Sequence, residues 1–415
     1  MILPLNSAKN AFADNEPLSV TLRFFGKETT FVALPEPEPD FTITTDFHQR
    51  RINASYDEKM ECIDKSLSLG ASVKSAILYT LPRLEKTVTE FISSVDCEPI
   101  DATMTFKPYN KPMFTISAEK EGYKINEQRL YYDIYLALKK SSSAVIEAKA
   151  ERLEPTVTAN ELKKYTELRS SFSTDYSSSN ENRKHNIRLA LSKLNGKKIN
   201  AGEEFSFNAT VGKRTISNGF SDAKIIVDGE YVDGTGGGVC QASTTLYNCA
   251  ILGDMKVTSV RAHSLPPSYV PPSFDAMVNS GTSDFKFINS SSGPVFIRAY
   301  GNDTSAVVQL YGEKLSYEIK RESVVVSRTA IPEDKTIIDE KNEYDTATLL
   351  PGESKRVRYG ASGLCSEGYL YYYKNGKLID KKLIRKDTYR PIQGLIALPK
   401  ASGEEDLSSS NFATL

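Results

Sequence analysis

The sequence predicts a multidomain α+β chain, and three observations carry that class. Between about residues 95 and 160 the patterns run strand, strand, helix, strand, as "DATMTFKP", "PMFTISA", "NEQRLYYDIYLALKK" and "AVIEAKAERLEP", an order that builds a sheet with its helix on one face. In the middle of the chain one helical stretch, "VCQASTTLYNCAIL", stands among strand patterns. The last section alternates apolar and polar residues around Asn375-Gly376, the strongest short signal of a β-hairpin.

Composition agrees with several folded parts. A chain of 415 residues exceeds what one core holds, which points to about two to four domains. Hydrophobic residues at 40% and charged residues at 25% sit near the globular average. Lysine plus arginine number 52 against 53 acidic residues, so no long-range field steers the chain to nucleic acid or to an anionic membrane surface. Five cysteines without a CxxC pair, and histidine only at His48, His185 and His263, supply neither a disulfide framework nor a zinc set. No cofactor and no metal is expected. The opening "MILPLNSAKNAFADNEPLS" has no basic segment followed by an apolar run, and no stretch of about 20 apolar residues occurs. The chain therefore reads either as cytoplasmic or as the soluble part of a protein whose anchor lies outside it.

Taken in order, "LSVTLRFFGKETTFVAL" alternates around Gly26 with Val20, Leu22 and Phe24 on one face and predicts a hairpin. A proline-rich link, "PEPEPDF", precedes helical stripes at Met60, Ile63 and Leu67 and at Leu84, Val88 and Phe91. In the module that follows, Asn126 is the expected N-cap of a helix with Leu130, Ile134 and Leu138 inward. "TANE" at 158–161 is a capping box for a short helix. The shared order of elements admits the first hundred residues as a degenerate repeat of this module. "SSFSTDYSSSNENR" reads as polar and turn-rich, and "NIRLALSKLNG" as a helix stopped at Gly196. "GEEFSFNATVG" and "AKIIVDGEYVDGTGGG" read as strands and turns, "KVTSVRA" as a strand, and "HSLPPSYVPPSFDA" as a loop stiffened by proline. A meander is expected at "DFKFIN", "PVFIRAY" and "AVVQLYG", and a disordered tail at "SGEEDLSSSNFATL".

The chemistry concentrates at one junction. Gly236, Gly237 and Gly238 permit positive φ angles and close approach, and Cys240 then falls in the first turn of a helix. Unpaired N–H groups and the positive end of the helix dipole favour a thiolate there. His263 and Asp275 follow in the order of a nucleophile, a base and a group that orients the base. Taken alone, a cysteine is more often a small buried hydrophobe, the role assigned to Cys62 and Cys249. His263 can equally be a satisfied residue at a strand end, and Asp275 a turn residue. No lysine follows the glycines in the position a phosphate loop requires. His48 and His185 read as solvated.

The run from "NIRLALSKLNG" through "GEEFSFN", "GGGVCQ", "TTLYN", "HS", "YVP" and "DA" closely resembles the VanW family, named for an accessory product of vancomycin-resistance clusters. The likeness extends from "SFST" near 171 to "QLYG" near 312. The segment "EPIDATMTF" through "LYYDIYLALKK" is similar to the peptidoglycan-binding module often found ahead of such domains. The segment from "RTAIPEDKTI" to "KLIDKKLI", with Gly352, Gly360, Gly363 and Gly376, is similar to the glycine-five β module of cell-surface proteins. Expected boundaries are 1–94 for an N-terminal α+β module, 95–165 for the peptidoglycan-binding-like module, 168–315 for the VanW domain, 320–398 for the all-β module and 399–415 for the tail. The resemblance implies a surface protein of a Gram-positive bacterium, tethered by a membrane helix absent from this chain. The "GVC" helix start also resembles that of transglutaminase-like thiol enzymes.

Two functional readings from different classes follow. In one, an extracytoplasmic wall protein uses Cys240 to attack an amide or peptide carbonyl of peptidoglycan stem peptides, His263 carries the proton, Asp275 orients it, and Gln241, through side chain or backbone, joins the Cys240 N–H as an oxyanion contact. In the other, a non-enzymatic adaptor binds stem peptides or glycan in a cleft of Gly236, Gly237, Gly238, Gln241, Thr244, Arg261, Ser264 and Tyr269, with Arg261 paired to a carboxylate. A plain surface spacer is a third possibility, one that has no need of "GGGVCQ".

Overall fold

The computed structural model describes residues 17–33, 54–227, 230–350 and 352–400. The expected proline-rich link, His48 and almost all of the expected tail lie outside these residues. The chain folds as two units, one of residues 1–103 and 116–159, the other of residues 104–115 and 160–415.

In the first unit, β1 (Ser19–Phe24) and β2 (Lys27–Val32) form the predicted hairpin. Phe25 and Gly26 both take positive φ at its turn, the conformation that matches the twist of the flanking strands. Three helices follow, α1 (Tyr56–Ser68), α2 (Val73–Thr80) and α3 (Leu84–Val95). Ser55 and Glu58 close a capping box on α1, and Ser72 caps α2. Sequence periodicity shows α1 and α3 but not α2, which is short and buries only Ala76, Ile77 and Thr80. Next come β3 (Thr103–Phe106), β4 (Phe114–Ser117), β5 (Gly122–Ile125) and α4 (Glu127–Leu138), whose N-cap is Asn126 as predicted. The expected single strand after α4 is two, β6 (Ser143–Glu147) and β7 (Ala150–Leu153). β6 pairs parallel with β1, so the sheet order is β2-β1-β6, while β7 pairs with β5. Val20 and Leu22, the stripe Leu84, Val88 and Phe91, and the stripe Leu130, Ile134 and Leu138 share one core. The division expected at residues 94 and 95 thus falls inside a single hydrophobic core.

In the second unit, Phe106 and Phe114 of the β3–β4 hairpin stack 4.7 Å apart and pack on Phe296. After α5 (Ala159–Lys163) comes β8 (Glu167–Asp175), in the segment expected to be turn-rich. Its inward residues are Ser170 and Thr174, which hide the alternation, and they bond the Cys249 carbonyl and the Thr245 hydroxyl. The helix α6 (Glu181–Leu194) is capped by Asn180. There follow β9 (Lys198–Ile199), β10 (Glu204–Ser206), a short helix α7 (Phe207–Val211) where strand was expected, and the hairpin β11 (Asp222–Val227) and β12 (Glu230–Thr235). Helix α8 (Val239–Leu252) leads to β13 (Lys256–Ser259), β14 (Lys286–Ile288), β15 (Val295–Gly301) and β16 (Ser305–Gly312). One sheet runs β8-β16-β15-β9 and another β10-β14-β13, so β14 leaves the expected meander for a separate sheet.

The C-terminal strands are β17 (Glu318–Thr329), β18 (Lys335–Asp339), β19 (Lys355–Arg358), β20 (Gly363–Lys374), β21 (Lys377–Tyr389) and β22 (Leu395–Pro399). They form sheets β17-β20-β21 and β18-β22-β19, and Asn375-Gly376 turns β20 into β21 with both φ positive. Ile319, Leu370 and Tyr372 from these strands enter the core that holds Val239, Ala242 and Leu246 of α8. Arg321 on β17 donates to the Asn248 side chain of α8 at 2.8 Å. Through such contacts the C-terminal β region reaches the predicted site.

Candidate functional site around Cys240

Helix α8 is buried along nearly its whole length, including Gln241, Ser243, Thr244, Thr245 and Asn248. A polar face inside a protein must find partners, and Ser243, Thr244 and Asn248 use theirs to fix a loop. The Ser243 hydroxyl donates to the Ala276 carbonyl, the Thr244 hydroxyl accepts from the Ala276 N–H at 3.0 Å, and the Asn248 amide donates to the Phe274 carbonyl at 2.8 Å. The loop is thereby pinned with Asp275 between its anchors. The Met277 N–H donates to the Arg261 carbonyl at 2.8 Å, which draws the loop after β13 alongside and sets His263 against Asp275.

Asp275 Oδ2 accepts the His263 backbone N–H at 2.7 Å and Nδ1–H of its ring at 2.7 Å. Nδ1 is thereby occupied, which leaves Nε2 as the ring nitrogen free for the interaction with Cys240. The structure thus brings Cys240, His263 and Asp275 together. His263 lies past the end of β13 in a loop, four residues beyond the strand terminus at Ser259. Asp275 is fully buried, while Cys240 is half-buried.

The carboxylate has further partners. Tyr389 donates its hydroxyl to Asp275 Oδ1 at 2.7 Å and accepts the Ser273 N–H at 3.0 Å. Arg385 donates to the Asp275 carbonyl oxygen and lies 3.7 Å from Oδ1, with its other arm on Asp387 at 2.9 Å. Both residues belong to β21, more than 100 positions downstream, and sequence reasoning missed them. Nothing in an alternating strand marks which polar residue turns inward.

These contacts set the charges. Burial favours a neutral Asp275, but the hydrogen bond and charge of His263, helped by Arg385, hold its carboxyl below the usual range. Burial likewise disfavours a charged His263, yet its bonds to Asp275 and Cys240 raise it from 6.5 to about 9. Burial pushes the Cys240 thiol up, and the His263 bond and charge, with a contribution from Arg214, overcome it and hold the thiol below its ordinary value. Cys249 on the same helix has no such partner, and burial pushes it up to about 12. Cys240 Sγ also contacts the Val278 carbonyl at 3.3 Å, a bond that only the neutral thiol can donate. Cys62 is half-buried rather than a core residue.

Gly238 caps α8 with φ 104°, and Gly236 also has positive φ. A Cβ on Gly237 would stand 2.6 Å from the Lys224 carbonyl oxygen, one on Gly238 2.9 Å from Arg183, and one on Gly236 2.8 Å from Cβ of Arg214. A side chain at any of the three glycines would therefore meet the chain itself. The Cys240 N–H has no acceptor among the described residues, whereas Val239 and Gln241 donate to Gly236 and Gly238. It remains available as an oxyanion donor. The Gln241 side chain does not: it donates to Asp175 O at 2.7 Å and Thr174 Oγ1 at 3.1 Å and accepts from Arg183 at 2.8 Å.

The other expected ligand contacts separate. Thr244 is buried, and its hydroxyl accepts the Ala276 N–H at 3.0 Å. Tyr269 is half-buried beside Cys240, and burial drives its phenol up. Ser264 is exposed next to His263. Arg261 is exposed and spends a donor on Ser283 Oγ at 3.2 Å. The cation coupled to the thiol is instead Arg214. His185 is exposed and bonds the Gly219 carbonyl at 2.8 Å.

Residues 182–311 match the family model described as "VanW like protein". Over 230 residues the chain is 32% identical to "Uncharacterized protein YoaR" of Bacillus subtilis (strain 168), covering 55% of this chain and 74% of that relative. The chain belongs to the VanW family. It is also 27% identical over 139 residues to "Vancomycin B-type resistance protein VanW" of Enterococcus faecalis (strain ATCC 700802 / V583), covering 32% of this chain and half of that relative. Ahead of the VanW domain, residues 47–147 match the model described as "Putative peptidoglycan binding domain". A solved structure, "Crystal structure of HP0197-G5", aligns over 20% of this chain and 99% of its own, with 18% identity and a TM-score of 0.12, a score that carries no argument.

Proposed function

We propose that this VanW protein works at the cell wall, binding peptidoglycan through residues 47–147 and attacking amide bonds of stem peptides with the Cys240 thiolate. The observation that carries the reading is a half-buried Cys240 whose thiol is held down by His263, with the Nδ1 of that ring fixed at 2.7 Å by buried Asp275. As the chemistry would run, the sulfur attacks the carbonyl carbon, the Cys240 N–H steadies the oxyanion, and the His263 imidazolium passes its proton to the departing nitrogen as the C–N bond breaks. The thioester then goes to water, for a peptidase, or to a second amine, for an acyl transferase. Among the described residues no helix is long and apolar enough to cross a membrane, and attachment to the cell surface would come from an anchor outside them. The C-terminal strands, with their likeness to the glycine-five module, would add a second wall contact.

The test is the iodoacetamide alkylation rate of Cys240 against pH, followed by peptide mass spectrometry, with buried Cys249 as internal control. A plateau reached well below the free-thiol value of about 8.5, and lost in His263→Ala, is expected, and digestion of muropeptides by the wild type but not by Cys240→Ala should follow. A Cys240 that titrates like a free thiol and ignores His263 would leave the adaptor reading, in which the protein binds wall peptide or glycan without reaction.

A further inference from the structure

Arg214 is the feature of this site that the fold explains least. Its guanidinium is half-buried, stands 5.8 Å over the Phe207 ring, and donates one hydrogen bond, to Asn208 Oδ1 at 2.5 Å. It makes no ion pair among the described residues, although a guanidinium carries five donors in a planar fork suited to a carboxylate. Asp284, the acid nearest in charge terms, is committed to Ser206 Oγ at 2.6 Å and the Asn208 N–H at 2.9 Å.

The surroundings hold Arg214 toward the thiol. Its Cβ and Cγ lie where a side chain on Gly236 would be, so the absence of a side chain at that position makes room for this arginine. The Asn208 amide that anchors it reaches the Asn279 and Ser283 carbonyls at 2.9 Å, and the neighbouring Val278 carbonyl touches Cys240 Sγ. Bonded among the described residues only to a neutral amide, and feeling the charges of the Cys240 sulfur and of Asp284, the guanidinium keeps donors free for an incoming anion.

We infer that Arg214 seats a carboxylate beside Cys240, so that the bond attacked is the one joining the last residue of a peptide, whose free α-carboxylate the guanidinium holds. This refines the amide chemistry proposed above and rests on it. In the step itself the Sγ–C bond forms while the C–N bond breaks, the His263 proton goes to the departing nitrogen, and the C-terminal residue leaves as a free amino acid. Water or an amine then resolves the thioester. Arg261, exposed and bonded to Ser283, has no part in this recognition.

The experiment compares iodoacetate with iodoacetamide at Cys240, because the two reagents differ by the carboxylate while sharing any dependence on thiolate. The iodoacetate-to-iodoacetamide rate ratio for the wild type should exceed that of the neutral thiol N-acetylcysteinamide about fivefold, the size of one partly screened charge contact. The excess should shrink as salt is raised, vanish in Arg214→Gln, and persist in Arg261→Gln. A wild-type ratio equal to that of N-acetylcysteinamide overturns the inference without recourse to any variant. So does a ratio unchanged in Arg214→Gln, or an excess that vanishes in Arg261→Gln instead. Because the ratio can be read at a pH where any thiol ionises, it stands or falls separately from the depressed titration of Cys240. As a second arm, a short peptide ending in a free acid should protect Cys240 from iodoacetamide better than the same peptide ending in an amide.

Discussion

Replacing Asp275 by Asn keeps the shape of the side chain and removes its charge. The carboxylate is fully buried and carries the His263 N–H, the His263 ring and the Tyr389 hydroxyl, each at 2.7 Å. Raising His263 from 6.5 to about 9 corresponds to about 3 kcal/mol in favour of the imidazolium. Asp275 and Cys240 supply that preference together against the cost of burial. With a neutral amide in place, burial dominates and His263 falls to its ordinary value or below, so the thiol loses the cation that keeps it ionised. Cys240 alkylation in Asp275→Asn should therefore follow a midpoint at or above about 8.5, with the rate at pH 7 reduced at least about tenfold. The same change leaves Arg385 with Asp387 as its remaining acidic partner, and a loss of about 3 kcal/mol in urea unfolding is expected from breaking one partner out of a buried charged network. An alkylation profile in Asp275→Asn that overlays the wild type, with the protein folded by circular dichroism, would refute the argument that the carboxylate controls the pair.

Tyr389→Phe removes the donor to Asp275 Oδ1 and the acceptor of the Ser273 N–H, and urea titration should show a loss of about 1–3 kcal/mol. In Gly237→Ala the new Cβ meets backbone atoms of Ala223 and Lys224 within 2.8 Å, so a loss of about 1–3 kcal/mol is expected, whereas Gly281→Ala, with open space around it, should unfold at the wild-type urea midpoint. Because the folded value of His263 lies above its unfolded value, its contribution is fully present below about pH 6.5 and disappears as pH rises through about 9. The stability difference between wild type and His263→Ala should shrink over that interval, as measured by thermal melts at several pH values.

The order of elements could be read from the sequence wherever apolar residues kept a period, as in β1, α1, α3, α4 and β20–β21. It was hidden where polar residues face inward. Ser170 and Thr174 make β8 look like a turn, and they do so because α8 presents Thr245 and the Cys249 carbonyl to them. Cys240, His263 and Asp275 could be picked out as a group because helix position and residue type carry chemistry by themselves. Sequence does not show that the Gln241 side-chain amide is committed to Thr174 and Asp175 of β8 and to Arg183. Arg214 and Arg385 could not be found at all, since what distinguishes them from other arginines is the environment that distant segments build around them.

The hold of β21 on Asp275 has a consequence for the timing of folding. A chain leaving the ribosome exposes Cys240 long before residue 389 exists, and contacts of such sequence separation close late. Until the β20–β21 hairpin docks, Asp275 lacks its tyrosine and arginine donors. The full set of bonds on Asp275 is thus complete only when the last strand of that hairpin is in place, although His263 alone already pairs with the carboxylate.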